Sequence, residues 1–452
     1  MIIPAVQIEK EKTRTTKLEF NKLISYLKFS FSILPDERSG YNTIYSIQDA
    51  ALSAFSVFFT QCPSFLAYQT QMQETKGENN AFSLFQISKI PSDNQVRNLL
   101  DPINPSNLDR VYEHIYEELR VNGYLERYRS CLEKTLLIPM DGVCYHSSET
   151  IFCEKCSHQQ HKNGSVTHTH SAITPVIVAP GNKHVITLPP EFITPQDGHN
   201  KQDSEQAAIK RWLEKHVQTY GKLGITFLGD DLYAHQPTCE AILAAKCHFL
   251  FTCKPDSHKT LYEFLEGLDS LGKVQSLTIN WRHGKKHYTD TYRFINNLPL
   301  RDSEDALSVN WCELVTTNAD GKIIYRNSFI TDHLIRKGNI VDVIKAGRAR
   351  WKIENENNNT LKTKGYNLEH NFGHGDQYLS QTLLSMNLLA FLFHTVLNLI
   401  DISYQLIRAK LPSRKTFFDD IRALTRYMYF DDWQALMNFM MFGLKIKHHN
   451  SS

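Results

Sequence analysis

The chain has 452 residues, of which 41% are hydrophobic, 22% charged and 11% aromatic. This composition supports a buried core and excludes a chain that is disordered throughout. Lysine and arginine number 50 and aspartate and glutamate 48, so the net charge of +2 excludes a histone-like polycation. Any surface that binds nucleic acid must therefore be local.

The first residues and the cysteines predict a cytoplasmic protein. The start, MIIPAVQIEKEKTRTTKLEF, carries charges where a signal peptide needs an apolar stretch. Nine cysteines, an odd number, are typical of free thiols in a reducing compartment. The apolar run at 383–400 contains Asn387, His394 and Asn398, which are costly in lipid, so we expect a buried helix and no membrane contact.

The first part of the chain changes from helical to mixed patterns near residue 131. Residues 1–130 are predicted to form a helical N-terminal region, because apolar residues recur every three or four positions in SIQDAALSAFSVFFTQ. Over 131–271, strands at TLLIPM, ITPVIV and HVITL precede a helix, and LGITFLG and CHFLFTC follow, each with a helix behind it. This order predicts an α/β fold, a mixed sheet covered by helices as in an RNase H-like core.

In the second part of the chain, apolar and polar residues alternate again as in strands, and a helical pattern follows. At 272–332, patterns such as VQSLTINWRHGKKHYTDTYRFINN predict a β-rich insertion. Residues 333–376 contain the helix-forming stretch IVDVIKAGRARWKIENENNNTLKT, which would complete the core. Residues 377–452 are predicted to form a helical C-terminal region.

Three acidic residues stand where such a sheet presents ligands. Asp141 follows the first strand, Asp230 follows the fourth, and Glu354 lies on the later helix. Arg350 lies four residues before Glu354 and Lys362 eight after it, so one helical face should carry a carboxylate between two cations. Because Mg²⁺ and Mn²⁺ prefer oxygen ligands, these carboxylates predict a site for two such ions, suited to phosphoryl displacement.

Four stretches give the chain, over about 36–400, a likeness to a known family: MDGVCYHSS, LPPEF with KQDSEQAAIKRWL, LGDDLYAHQPTCE and RARWKIENENNNTLKTKGYNLEHNFGHG. The chain resembles bacterial insertion-sequence transposases with a DDE catalytic domain of RNase H-like fold. The resemblance implies that Asp141, Asp230 and Glu354 bind divalent metal while water, and then a DNA 3′-hydroxyl, attack phosphodiesters at transposon ends and target.

The same resemblance implies the partners. It predicts binding to double-stranded DNA, both terminal inverted repeats and target, with the N-terminal region recognising the ends. It also implies a homodimer on DNA and, in a bacterium, association with the nucleoid during the reaction.

The chain departs from the family pattern at several positions. A second acid, Asp231, directly follows the second catalytic position and is an alternative to it. Transposases with a Tyr-Arg-Glu-Lys signature place Arg four residues before the Glu, as Arg350 does. Where their Tyr and Lys would stand, this chain has Gly347 and Leu361, and Lys362 comes one residue late. By resemblance Arg350 contacts phosphate, and Lys362 does so with weaker support.

Two tryptophans of the β-rich segment are further candidates. By resemblance, an aromatic residue from such an insertion stacks on a displaced base during end cleavage, and Trp281 and Trp311 could serve. A core tryptophan in a small sheet is the alternative for each.

The segment CEKCSHQQHKNGSVTHTH offers a possible zinc site at Cys153, Cys156, His168 and His170. Zinc takes four nitrogen or sulfur ligands, and a Cys pair followed by a His pair is a workable spacing, although the two His are closer than in usual zinc fingers. The alternative is a polar hairpin whose cysteines are ordinary small residues.

Positive charge is concentrated in three segments. From 335 to 364, eight basic residues stand against three acidic ones, a net charge of +5. Further clusters lie in WRHGKKHY and in IRAKLPSRKTFFDDIRALTRYMYF. These segments are candidates for DNA contact, and solvated helix faces are the alternative.

The leading hypothesis is a DNA transposase that cleaves insertion-sequence ends and joins them to target DNA with the help of metal ions. An RNase H-like structure-specific nuclease without strand transfer is one alternative. A catalytically silent DNA-binding protein derived from a transposase is another.

Overall fold

The computed structural model describes residues 17–39, 43–73, 79–129, 132–195 and 203–446. Within these ranges the protein is a mixed α/β structure, with helices towards both ends and mixed parallel and antiparallel strands between them. The predicted α/β class with a mixed sheet is thereby confirmed. Most of the N-terminal stretch considered for a signal peptide, 1–16, lies outside the described residues.

The N-terminal helices pack around one apolar helix. This helix, Ile47–Phe59, is buried along nearly its whole length. Ser46 precedes it as the N-cap residue, and the Ser46 side chain accepts a hydrogen bond from the Asp49 N–H. The helices are α1 (Phe20–Ser32), α2 (Ile47–Phe59), α3 (Phe65–Gln73), α4 (Asn80–Phe85), α5 (Asp93–Leu100) and α6 (Asp109–Val121), with 3₁₀ turns at Pro105–Leu108 and Glu126–Tyr128.

The strands form one large sheet and smaller ones beside it. They are β1 (Leu136–Pro139), β2 (Gly142–Ser148), β3 (Ser157–Gln160), β4 (Val166–Ile173), β5 (Val176–Ile177), β6 (Ile186–Thr187), β7 (Glu191–Ile193), β8 (Ile225–Gly229), β9 (His248–Thr252), β10 (Gln275–His283), β11 (Lys286–Pro299), β12 (Ser308–Asn318) and β13 (Ile323–Thr331). The large sheet has the order β1-β8-β9-β13-β12-β11-β10. In it β1, β8 and β9 are parallel, and the other pairs are antiparallel.

The segment 272–332 extends the large sheet. Its four strands, β10–β13, are antiparallel to one another. They connect to the parallel strands through β13, whose residues Phe329, Ile330 and Thr331 pair with β9. On the other side, a small sheet of β2, β4, β3 and β7 follows β1 directly, and Leu137 of β1 bridges Val178 in antiparallel fashion.

Helices cover the sheet and continue to the C-terminal region. Ile353–Asn358 forms a π-helical turn, and 3₁₀ turns lie at Gly221–Leu223 and Asp231–Tyr233. The helices are α7 (Glu205–Tyr220), α8 (Gln236–Ala244), α9 (Lys259–Ser270), α10 (Ile340–Arg348), α11 (Asn359–Thr363), α12 (Leu379–Ile400), α13 (Ile402–Lys410), α14 (Arg414–Tyr427) and α15 (Trp433–Gly443).

Helix α12 is the apolar run that the sequence predicted to be buried. It is long and apolar enough to span a membrane, but 89% of its most apolar window is buried inside the protein. Its polar residues find partners there: Asn387 donates to the Tyr366 carbonyl at 2.9 Å and Thr382 to the Ile103 carbonyl at 2.6 Å. The prediction of a buried helix is confirmed.

Helices α6 and α7 meet at a half-buried carboxyl group. Burial, and then repulsion from Glu113, raises the pKa of Asp109 to about 7. Burial lowers the pKa of the neighbouring His216 to about 4, so the imidazole, 4.0 Å from the Asp109 carboxylate, is neutral at pH 7 and supplies no counter-charge.

We expect Asp109→Asn to stabilise the protein above neutral pH. Asp109 ionises near pH 4 in the unfolded chain but near pH 7 in the fold, so raising the pH across that window favours unfolding of the wild type. The variant should gain up to about 4 kcal/mol well above pH 7 and lose this advantage towards pH 4. Urea denaturation of both proteins across that range measures the difference; an advantage that does not grow with pH would contradict the assignment.

Candidate functional site

Asp141 and Asp230 lie side by side where two parallel strands end. β1 and β8 pair in register up to Pro139 and Leu228, and the Met140 N–H donates to the Leu228 carbonyl at 3.0 Å. Each aspartate follows two residues after that last pair. Because paired strands are about 4.8 Å apart, the two residues lie at the same edge of the sheet.

Glu354 reaches this edge from the π-helical turn Ile353–Asn358, in which the Asn359 N–H donates to the Glu354 carbonyl. Such turns are rare in proteins as a whole, and those that occur are often found at functional sites. The Glu354 carboxylate is half-exposed and pairs with the Arg350 guanidinium at 2.8 Å. A ligand can therefore approach this carboxylate from solvent.

A chain of hydrogen bonds attaches the helix of Glu354 to the strand of Asp141. The Asn358 amide donates to the Asp141 carboxylate at 3.4 Å, and the Thr174 hydroxyl donates to the Asn358 amide oxygen at 3.2 Å. The Thr174 N–H in turn donates to the Asp141 carbonyl at 3.2 Å. These contacts hold the helical segment that carries Glu354 beside Asp141.

Glu205, which the sequence analysis did not single out, is a fourth carboxylate at the site. It is the first residue of α7, and its Oε1 lies so close to Gly142 that a Cβ there would be 2.3 Å away. The Tyr233 hydroxyl donates to Glu205 Oε2. A glutamate in the first turn of a helix usually interacts favourably with the positive end of the helix dipole. The sequence therefore gives no sign that Glu205 lies at the carboxylate site, which depends on how α7 packs.

Negative charge accumulates around Asp141. Burial raises its pKa to about 7, with further contributions from Glu205, Glu354 and Asp230, while Arg350 acts in the opposite direction. Carboxylate oxygens gathered in this way attract cations, and they are the ligands that Mg²⁺ and Mn²⁺ prefer. The donor type therefore suits the predicted divalent ions, whereas the close groups of potential metal ligands among the described residues are Cys153, Cys156, His170 and His374, and His248, Asp332 and His333.

The alternative second ligand, Asp231, faces another network. Its Oδ1 accepts the Lys254 N–H at 2.6 Å and lies 3.4 Å from the His258 imidazole. Asp230 instead contributes to the field at Asp141. The structure thus places Asp230, and not Asp231, at the carboxylate site.

Lys362 does not join the carboxylates. Its amine pairs with Glu369 at 2.7 Å. Of the two cations expected beside Glu354, Arg350 pairs with it and Lys362 pairs with Glu369 instead.

The two predicted stacking residues have different environments. Trp311 is 0% exposed and donates to the Tyr262 hydroxyl at 3.4 Å, so its prediction as a base-stacking residue is wrong and it is a core residue. Trp281 is 41% exposed on β10 and stacks on Tyr288 at 4.5 Å. Trp351, beside Arg350, is 45% exposed and was not predicted.

Basic residues of the C-terminal region include several that serve the fold. Arg414 donates to the Tyr366 hydroxyl at 2.6 Å, and Arg422 donates to the carbonyls of Thr60 and Gln61 at 2.9 and 2.8 Å. These guanidinium groups are occupied inside the protein, which removes them from the predicted DNA surface. Exposed basic residues near the sheet are Arg282, Lys285, Lys286, Arg336 and Lys337.

The cysteine and histidine segment assembles with one change of partner. Cys153, Cys156 and His170 come together, and His374 joins them in place of His168. His168 lies outside this group, and its ring stacks on Phe152 at 4.5 Å. The structure therefore groups His374, and not His168, with the other three predicted residues.

Comparisons with known proteins do not identify a family. No protein-family model matches the chain, and no curated protein matches its sequence.

Gly347, where the transposases that the chain resembles have Tyr, has no room for a side chain. A Cβ there would lie 2.7–2.9 Å from three ring carbons of the buried Phe329 on β13. Any larger residue would collide with this ring, so α10 and β13 could not keep their present spacing.

We expect Gly347→Ala to destabilise the protein by about 1–3 kcal/mol, since overpacking exceeds the gain in helix propensity. Gly267→Ala is the matched control: it is also helical, but its Cβ would meet open space, so it should stabilise by about 1 kcal/mol. Urea denaturation of both variants tests this. Equal effects of the two substitutions would show that Phe329 does not limit the site.

Proposed function

We propose that this protein is a metal-dependent DNA transposase with an RNase H-like catalytic core. The observation that carries the proposal is the meeting of Asp141, Asp230 and Glu354 at one edge of the sheet, although they are far apart in the chain. Two strand carboxylates and one helix carboxylate are the set expected for two-metal phosphoryl transfer.

The topology around the carboxylates supports the RNase H-like interpretation. The parallel strands β1, β8 and β9 lie in that order, and Leu137 of β1 bridges antiparallel to Val178 on the other side. In chain order, α7 precedes β8, α8 lies between β8 and β9, and α9 follows β9, which is the order expected of such a core.

Each residue has a distinct task in the proposed site. Asp141 and Asp230 would hold the divalent ions from the sheet, and Glu354 would hold them from the helix. Bound there, Mg²⁺ or Mn²⁺ would activate the attacking hydroxyl and stabilise the leaving oxygen. Asn358 orients the Asp141 carboxylate, and Arg350 beside Glu354 is positioned to contact a phosphate.

Exposed aromatic and basic groups suggest how DNA is held. Trp351 lies next to Arg350, and Trp281 lies near the tip of the β10–β11 hairpin with Arg282, Lys285 and Lys286. Double-stranded DNA with terminal inverted repeats, and then target DNA, would be the substrates of a homodimer that brings two ends together. Inverted repeats on both sides of the coding region would favour this function over a nuclease.

We expect Asp141→Asn, Asp230→Asn and Glu354→Gln each to abolish cleavage of end DNA while binding persists, because each removes a metal-binding charge and keeps the shape. Asp231→Asn is the matched control and should remain active, since its side chain serves Lys254 and His258. The assay incubates protein and Mg²⁺ with labelled duplexes taken from both sides of the coding region.

The products separate the alternatives. Cut and joined products support a transposase, and cutting without joining supports a structure-specific nuclease. Binding without cutting by the wild type would indicate a silent DNA-binding protein, and activity in any of the three carboxamide variants would contradict its assigned role.

We expect Glu205→Gln to lower end cleavage roughly 10-fold to 100-fold without abolishing it, the range typical of groups that support metal ligands. Tyr233→Phe removes the hydroxyl that donates to Glu205 and should have a smaller effect in the same direction. Both rates are measured at several Mg²⁺ concentrations. A Glu205 variant with wild-type rates at every concentration would remove this residue from the site.

A further inference from the structure

We propose that Cys153, Cys156, His170 and His374 bind one structural Zn²⁺, separate from the carboxylate site. One ligand atom from each of these residues lies within 4.8 Å of the others. Cys156 and His170 are buried, and both cysteines are free thiols, like every cysteine that the structure describes.

The spacing of the ligand atoms matches a zinc tetrahedron. With Zn–S near 2.3 Å and Zn–N near 2.05 Å, tetrahedral geometry places sulfur and nitrogen about 3.5 Å apart. The His170 Nε2 lies 3.5 Å from Cys153 Sγ and 3.4 Å from Cys156 Sγ, and the His374 Nε2 lies 3.8 Å from Cys156 Sγ. A zinc ion therefore fits with little movement of these side chains.

The chemistry of the four groups favours zinc over magnesium. Sulfur and imidazole are ligands for Zn²⁺, whereas Mg²⁺ requires oxygen. Binding would release one proton from each thiol, so two thiolates and two neutral imidazoles would form a complex without net charge. Such a complex suits a partly buried position.

The backbone already holds the ligands in place. The Cys156 N–H donates to the Cys153 carbonyl at 3.1 Å, and the Cys153 N–H points to Cys156 Sγ at 3.5 Å. After His374, Gly375 adopts a positive φ of 70°. The Asp101 carboxylate then accepts N–H groups of the following residues, Asp376, Gln377, Tyr378 and Leu379.

Zinc at this position would link two distant parts of the chain. Cys153 and Cys156 belong to the loop after β2, which directly follows Asp141, and His374 belongs to the loop after α11, which follows Glu354. A metal cross-link that closes a long loop restricts the unfolded chain and stabilises the fold.

The test compares two histidine variants of the full-length protein. Purified wild type, Cys156→Ser, His374→Ala and His168→Ala are dialysed against metal-free buffer, and bound zinc is measured by mass spectrometry. We expect about one zinc per chain in the wild type and His168→Ala, and a loss in the other two. Zinc retained by His374→Ala and lost from His168→Ala would overturn the proposed ligand set.

A measurement on the wild type covers the case in which a variant fails to fold. A chelator should lower the melting temperature, and added ZnCl₂, but not MgCl₂, should restore it. Substitution of Co²⁺ should give the absorption of a tetrahedral site with two thiolates. A zinc-free wild type whose Cys153 and Cys156 form a disulfide would overturn the proposal. Because zinc content is measured without DNA, this result is independent of the transposase activity.

Discussion

The parallel pairing of β1 with β8 is the constraint on which the site depends. Parallel strands end at the same edge of a sheet, and the shared register carries Asp141 and Asp230 to adjacent positions there. Other elements then approach that edge: the first turn of α7 with Glu205, and the π-helical turn with Glu354. Gly142 and Gly347 permit the approach because each leaves room where a Cβ would collide with Glu205 or Phe329.

The charge balance distinguishes this site from an ordinary ion-pair cluster. Around Arg211, the carboxylates of Glu191 and Asp203 are matched by Arg211 and Lys215 at 2.5–2.8 Å, and the group is electrically balanced. Around Asp141, three further carboxylates gather and Arg350 offsets only part of their repulsion, which adds to the burial that raises the pKa of Asp141. An imbalance of this kind is typical of a site that binds cations.

The two proposed metal sites offer different types of ligand atom. Both lie on the same two segments of the chain, the one after Asp141 and the one after Glu354. Oxygen ligands at Asp141 and Glu354 suit hard ions that exchange with substrate, whereas the sulfur and imidazole groups that follow in each segment suit one tightly held zinc. The hydrogen bonds through Asn358 and Thr174 already join these segments at one end. A zinc ion at His374 would join them at the other, so both sites would hold the segment of Glu354 against the sheet.

The sequence by itself determined the α/β class, the burial of α12 and the positions of the three carboxylates, because these follow from local periodicity and from where strands end. It failed where the answer depended on distant contacts. Trp311 and Trp281 read alike, but one lies in the core and the other on the surface. Lys362 pairs with Glu369 instead of joining the carboxylates, and packing alone brought Glu205 and His374 to their sites. Periodicity reports only the nearest few residues, whereas a site joins side chains that meet when the sheet and its helices pack.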